Sequence, residues 1–413
     1  MKWLFLLTSA LWTLVSGAEE TLIEAPIVLP TPVALRWLAA DPALLSAQSA
    51  LLAAKAEAGQ LAASPYEWTS RYSRQQRDDG SSQKSNEWNF ALERTLRLPA
   101  KRRADQAGSS ATLSAAEARF SLARRQATEA LLGSWLDWLA ARSSKDLLVQ
   151  QQHFAQESLD AVSQRVRSGD AAALEQRLAK ADVADIQRSA SAAATTELTA
   201  WEKLSARYPA HEVTAPQLPD PLAVPQDAAW WQARILAASD VLVIAQAEQA
   251  QADAAAQRAQ AERIPDPTVG VFTGREAYGN EKIVGVSISM PLPGTRRRLQ
   301  LQQQLAQAEV ARQRVDISRR ELTGVARAAF SAAQGNFLRW QFANSAAAAM
   351  AENAHLAQKA YSLGEQDLQT LLLARRQALS AAAAEQQARV DALRAYYALL
   401  LDAKLLWEVP VVP

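Results

Sequence analysis

The side chains that could bind a metal or move a proton are few in this sequence and lie far apart. Its three histidines are His153, His211 and His355, and none has a second ligand three or four residues on beyond an ordinary acid or glutamine. That spacing fits solvent-facing helix or linker positions better than a metal centre, which needs converging ligands. Met290 and Met350 are too distant in the chain to make a soft-metal site. With no cysteine, the chain offers no disulfide framework, no thiolate zinc or iron–sulfur site and no lipid-bearing cysteine near its N-terminus. The phosphate loop G-x-x-x-x-G-K-S/T, the nucleophile elbow G-x-S-x-G, the zinc helix H-E-x-x-H and a G-x-G-x-x-G after a strand are all missing. The sequence therefore reads as that of a protein that is not an enzyme and has no cofactor or catalytic residue.

Two basic clusters remain, Lys101-Arg102-Arg103 and Arg296-Arg297-Arg298. A nucleic-acid surface would want a wider patch and a positive whole, yet 44 Lys+Arg against 43 Asp+Glu leave a net charge of only +1. Both clusters fall where a strand pattern gives way to a helix pattern. There they can snorkel to a lipid-headgroup boundary or simply be solvated. Recurrence at the same place in two segments favours the boundary.

The elements that position these clusters come in two copies. In the first, Pro65, an alternating stretch Tyr66–Ser73, a polar loop Asp78–Ser85, a second stretch Trp88–Arg97 and Leu98-Pro99 precede the basic cluster and a long Ala/Gln/Leu/Arg-rich tract. In the second, Pro267, Thr268–Thr273, Arg275–Glu281, Ile283–Met290 and Leu292-Pro293 hold the same order. Pro293 lies 194 residues after Pro99, and Gly364 of Ser362-Leu363-Gly364-Glu365 lies 195 after Gly169 of Arg167-Ser168-Gly169-Asp170. Two landmarks that agree within one residue imply an internal duplication. The expected organisation is a leader over 1–18, a first repeat over 19–208 (strand hairpin 66–97, helical hairpin 100–206), a Pro-rich linker over 209–227, and a second repeat over 228–408 (strand hairpin 268–290, helical hairpin 296–407). The leader rests on Lys2, the apolar run Trp3 to Val15 and the small residues Ser16-Gly17-Ala18 before a cut. Nowhere else are there ~18 consecutive apolar residues, so any membrane contact would be through a β-barrel or at the surface.

Strand alternation separates two faces. One column holds Trp68 and Tyr72 in the first strand, Trp88, Phe90 and Leu92 in the second, and Val284, Val286, Ile288 and Met290 in the fourth. The third, Val269-Gly270-Val271-Phe272, is too short and mixed to assign. Such columns suit a half-buried sheet on a soluble core. They also suit an outer-membrane barrel, on which Trp68, Trp88, Phe90, Val284, Val286 and Ile288 would face lipid. Four strands in two hairpins are too few to close a barrel of at least about eight, so a spanning barrel requires several copies of the chain.

The rest is helical. Leu301, Ala308, Val315, Leu322 and Ala329 repeat every seven residues, with a half-polar second arm of Leu305, Arg312, Arg319 and Ala326. Leu372, Leu379, Gln386, Leu393, Leu400 and Trp407 keep the same period. A helix from about Arg297 to Gln341 would be about 70 Å long at ~1.5 Å per residue. Turns that would fold each half into a helical hairpin are expected at Arg142-Ser143-Ser144-Lys145-Asp146 and Phe337-Leu338-Arg339-Trp340-Gln341. A soluble bundle can also use long helices.

The blocks Ile264-Pro265-Asp266-Pro267-Thr268-Val269-Gly270-Val271 and Val284-Gly285-Val286-Ser287-Ile288-Ser289-Met290-Pro291-Leu292-Pro293, followed by Arg296-Arg297-Arg298, resemble the second-repeat strand region of the TolC-like outer membrane factor family, most of all its CzcC-like branch associated with heavy-metal efflux. Tyr361-Ser362-Leu363-Gly364-Glu365 is similar to that family's aromatic-x-x-Gly-acidic helix motif. The resemblance implies a mainly α fold with a small β part, in which three chains of four strands each close a 12-stranded barrel above a helical periplasmic tunnel. It implies a homotrimer in the cell outer membrane that meets a periplasmic adaptor (membrane fusion) protein and an inner-membrane pump, and that passes metal ions or other small solutes. Gating residues would lie at the hairpin tips, by position Arg142, Lys145, Asp146 and Arg339. The alternative is a soluble periplasmic helical scaffold or adaptor protein.

Overall fold

A computed structural model describes residues 28–78, 84–209, 214, 216–276 and 280–407. The expected leader, His211 and part of the Pro-rich linker lie outside the described residues. The elements run α1 (Thr31–Ala39), α2 (Pro42–Ala62), β1 (Trp68–Arg77), β2 (Ser85–Thr95), α3 (Pro99–Ser168), α4 (Ala173–Ser205), α5 (Ala228–Ala238), α6 (Asp240–Ala261), β3 (Thr268–Glu276), β4 (Glu281–Ser289), α7 (Thr295–Ser362) and α8 (Leu368–Asp402).

Two helices set the size of the molecule. α3 has 70 residues and α7 has 68, so each is about 100 Å long at ~1.5 Å per residue. Neither turns where the sequence led us to expect it: Arg142–Asp146 and Phe337–Gln341 are uninterrupted helix. Ser, Lys and Asp there cost a packed helix only a few tenths of a kcal/mol each. The turns come at the glycines that mark the duplication. Gly169 has φ +83° and Gly364 φ +77°, a left-handed conformation that a side chain disfavours. Around each glycine the released N–H groups find carbonyls in the same way. Asp170 donates to Arg165 at 2.8 Å and Gly169 to Val166 at 3.2 Å, while Glu365 donates to Ala360 at 2.9 Å and Gly364 to Tyr361 at 3.1 Å. This is the Schellman closure of a helix C-terminus, and it places a hairpin tip at each glycine.

The four strands form one antiparallel sheet in the order β1-β2-β3-β4. The pairing of β2 with β3 joins what the sequence presents as two separate hairpins, and it extends the third strand to the full Thr268–Glu276. Below the sheet α2 and α6 pack beside α3 and α7; towards the tips α4 and α8 take their places. The largest core lies partway along α3, where Trp135, Leu131 and Leu136 meet Trp37 of α1, Trp231 and Ile235 of α5, and Leu393, Leu399 and Leu400 of α8. Trp37 stacks on Tyr208 with ring centroids 5.9 Å apart and meets Trp135 edge-on at 5.8 Å. Burying side chains of this size stabilises by roughly 1.5–3 kcal/mol each, which anchors the short helices on the long ones.

Candidate functional site

Strand register decides which residues share a face of the sheet. Ser70 is opposite Leu92, Leu92 opposite Val271 and Val271 opposite Val286; one step on, Tyr72, Phe90, Thr273 and Val284 line up. The same face takes Trp68, Trp88 and Ile288. Thus Trp68, Trp88, Phe90, Val284, Val286 and Ile288, drawn from three strands, are brought to one surface. That surface is uncovered in the single chain: Val284, Val286 and Ile288 are 72%, 78% and 75% exposed. Contiguous exposed apolar side chains of this kind are a cost in water and mark a surface that meets lipid or protein.

The opposite face is polar. It carries Thr69, Arg71, Ser73, Gln75 and Arg77 from β1, Glu87 and Glu93 from β2, and Ser287 from β4. Glu87 accepts from Gln75 Nε2 at 2.7 Å and lies 3.2 Å from Arg77 Nε. Glycines make room here for larger neighbours: a Cβ at Gly285 would stand 2.4 Å from the Phe272 ring, and one at Gly270 would stand 2.7 Å from Glu93 Cγ. β1 and β4 sit at the two ends of the sheet, so within the described residues it is open at both edges. An open sheet edge offers unpaired backbone groups to another chain.

At the foot of the sheet is a buried ionic node that sequence reasoning did not anticipate. The side chains of Arg97, Lys101, Asp105 and Asp266 are all 7% exposed or less. Arg97 binds Asp105 through Nε at 2.8 Å and through its terminal nitrogen at 3.0 Å, and reaches Asp266 at 3.2 Å. Asp266 also accepts from Lys101 Nζ at 2.9 Å, Tyr66 Oη at 2.9 Å and the Leu98 N–H at 3.1 Å. Burial alone would raise the Asp266 carboxyl, but the bonds from Lys101, Leu98 and Tyr66 outweigh it and hold it below the ordinary carboxylate range. Burial, reinforced by the bond to Asp266, pushes the Tyr66 phenol up. Pro265 and Pro267 flank the aspartate and fix the backbone on either side of it.

The four residues expected at the tips are elsewhere. Arg142 lies over the Trp138 ring at 5.8 Å and is 3.9 Å from Asp146; Lys145 reaches Glu197 at 3.5 Å; Arg339 donates to Asn336 at 3.0 Å. Arg142 precedes Gly169 by 27 residues, which is about 40 Å of helix. The observed tips pack side by side, with Val162, Ala179, Leu368 and Leu371 buried between them. Tyr361 donates to Glu175 at 3.4 Å under the guanidinium of Arg165, 5.3 Å from its ring centroid, and Arg376 stands 3.7 Å from Asp182. Here burial outweighs the two nearby arginines and raises the Asp182 carboxyl. The signal that could have located these tips was already in the chain: a glycine closing an apolar helix period. Among the described residues no single helix is long and apolar enough to cross a membrane.

The likeness of this chain to known proteins lies in its structure. No family model and no curated protein match it. Solved structures do. The CmeC outer membrane channel of Campylobacter jejuni aligns with 97% of this chain and 94% of its own at 14% identity and a TM-score of 0.75. The outer membrane protein VceC of Vibrio cholerae aligns with 91% of this chain and 96% of its own at 16% identity and 0.76. The MtrE outer membrane channel of Neisseria gonorrhoeae, in its open state, aligns with 91% and 89% at 16% identity and 0.59. The chain therefore has the TolC-like fold, long antiparallel helical hairpins carrying a four-stranded sheet.

Proposed function

We propose that this chain is the outer-membrane channel component of a tripartite efflux system. It is a passive exit duct in the cell outer membrane with a periplasmic extension, exported by the leader over 1–18. The observation that carries the reading is the sheet: one apolar, exposed face, one polar face and two open edges, mounted on helices about 100 Å long. A chain on its own cannot satisfy those edges in lipid. Three copies supply twelve strands from four apiece, enough to close a barrel whose apolar face meets lipid and whose polar face lines water. The likeness to the solved outer membrane channels supports the same assembly.

The work of transport then belongs to an inner-membrane pump joined through a periplasmic adaptor; among the described residues no group of His, Asp or Glu side chains is placed to hold a metal ion. The hairpin tips at Gly169 and Gly364 are the ends that meet the adaptor and close the tunnel. The cargo class of metal ions or other small solutes rests on the resemblance of the 264–271 and 284–293 blocks to the CzcC-like branch. Fractionation followed by chemical cross-linking tests the reading. The mature protein should be recovered from outer membranes and cross-link as a trimer. Recovery as a soluble monomer would replace the duct with a periplasmic scaffold.

A further inference from the structure

We propose that the groove at the foot of the apolar face binds the phosphate of an anionic membrane phospholipid, with Arg94 and Arg102 as its ligands. The inference rests on the duct reading and adds a ligand to it. The groove has a volume of about 310 Å³ and runs between the C-terminal end of α2, the last residues of β2 and the first turn of α3. Four charged side chains line it: Arg94, Arg97, Arg102 and Asp105. Arg97 and Asp105 bind each other at 2.8 Å and cancel. No acid among the described residues forms an ion pair with Arg94 or Arg102, so the groove keeps two guanidiniums without an acidic partner.

Their position selects the anion. Arg94 is the penultimate residue of β2 and lies on the apolar face, in register with Trp68 on one side and Val269 on the other. Its guanidinium is 5.3 Å from the centroid of the Trp68 ring, and Trp68 is itself 61% exposed. Leu96, 46% exposed, forms the next part of the wall. The groove therefore meets the apolar face of the sheet at Arg94 and Leu96 and the first turn of α3 at Arg102. A tryptophan beside arginines at such a boundary matches the interfacial belt of membrane proteins. Guanidinium takes a phosphodiester through paired N–H bonds, while Trp68 and Leu96 would cover the first carbons of the lipid. A free phosphate would use the arginines and gain nothing from the wall.

The test uses the full-length protein and the double variant R94Q/R102Q, both inserted into phosphatidylcholine vesicles with and without phosphatidylglycerol. Lipid retention is then read by native mass spectrometry after extraction. Wild type should retain phosphatidylglycerol in preference to phosphatidylcholine, and the double variant should bind it about thirtyfold more weakly, as two lost basic contacts predict. The single variant R102Q, at an exposed position, should show a partial loss and serves if the double variant does not fold. The control R188Q, on an exposed stretch of α4, should bind as wild type does. Equal retention by wild type and variants, or displacement of the lipid by inorganic phosphate alone, would overturn the site. Failure of wild type to insert into any vesicle would instead overturn the duct reading, so the two failures are distinguishable.

Discussion

The two places where a strand hands over to a long helix have the same punctuation and opposite fates. β2 runs through Leu98-Pro99 into α3 and Lys101-Arg102-Arg103; β4 runs through Leu292-Pro293 into α7 and Arg296-Arg297-Arg298. The first junction is closed by Arg97, Lys101, Asp105 and Asp266, all buried side chains. The second is open to solvent, with Leu292 93% exposed and Met290 53% exposed; it is tied not by buried ion pairs but by Arg297, which donates to the Glu262 carbonyl. At the 194-residue offset Arg97, Lys101 and Asp105 become Pro291, Thr295 and Leu299, and at 195 they become Leu292, Arg296 and Gln300, so neither an acid nor a counterpart of Arg97 is present to build a node. Proline and a basic cluster fix where a helix starts; a handful of interior charges decides whether the start is closed. Asp266 precedes β3, so the closed junction also binds the two repeats to each other. The open one lies beside edge strand β4, where the trimer reading places the next copy.

This contrast can be broken most forcefully at Asp266. Asp266→Ala leaves Arg97 and Lys101 buried without their shared partner and should cost about 3–5 kcal/mol, whereas Leu292→Ala at the open junction should stay within about 0.5 kcal/mol. Denaturant midpoints of the two variants compare them directly, and equal losses would erase the distinction. The faces of the sheet give the next largest effect. Val286→Arg should impair membrane insertion by roughly 2–4 kcal/mol, while Thr69→Arg, on the polar face, should insert as wild type does. Inverted or equal outcomes would reverse the face assignment.

The tips should behave as a matched pair where the junctions do not. Gly169→Ala and Gly364→Ala each force a Cβ into left-handed backbone, and each should lower stability by roughly 1–2 kcal/mol. A marked difference in their melting temperatures would show that the shared closure conceals unequal packing. pH should separate junction from tip. The Asp266 carboxyl is held below its unfolded value, so its contribution is present above about pH 4 and is lost as pH falls through the lower folded value. The Asp182 carboxyl is raised by burial, so acidification through that raised value relieves a cost instead. Acid titration of unfolding should therefore show a loss that disappears in Asp266→Asn. Asp182→Asn, the smallest effect, should shift stability at neutral pH by no more than a few tenths of a kcal/mol.

Some of this was legible residue by residue. The alternation in β2 and β4 and the seven-residue period through Ala308 and Val315, both buried, could be read directly, because strand and helix periods are local properties of the chain. The hairpin tips were half legible. Gly169 and Gly364 were visible as repeat landmarks, yet the polar stretch Arg142–Asp146 looked more like a turn. In the fold that stretch passes the tryptophan core, where Gln386 Nε2 donates to Ser143 Oγ at 3.0 Å and Lys145 meets Glu197, so tertiary partners keep it helical. No local signal announces the node, since Arg97 and Asp266 are 169 residues apart.

The sequence by itself determined the two-copy order of elements, the helical character of the long tracts and the polarity of the columns in the first, second and fourth strands, all of which follow from spacing within a few turns or residues. Only the tertiary structure decided that β2 pairs with β3 across the repeats and that the six apolar strand residues form one surface. It also decided that a proline-flanked aspartate closes one junction while its counterpart stays open. Those outcomes depend on contacts between segments far apart in the chain, where register and burial are set by what each segment meets rather than by its own period.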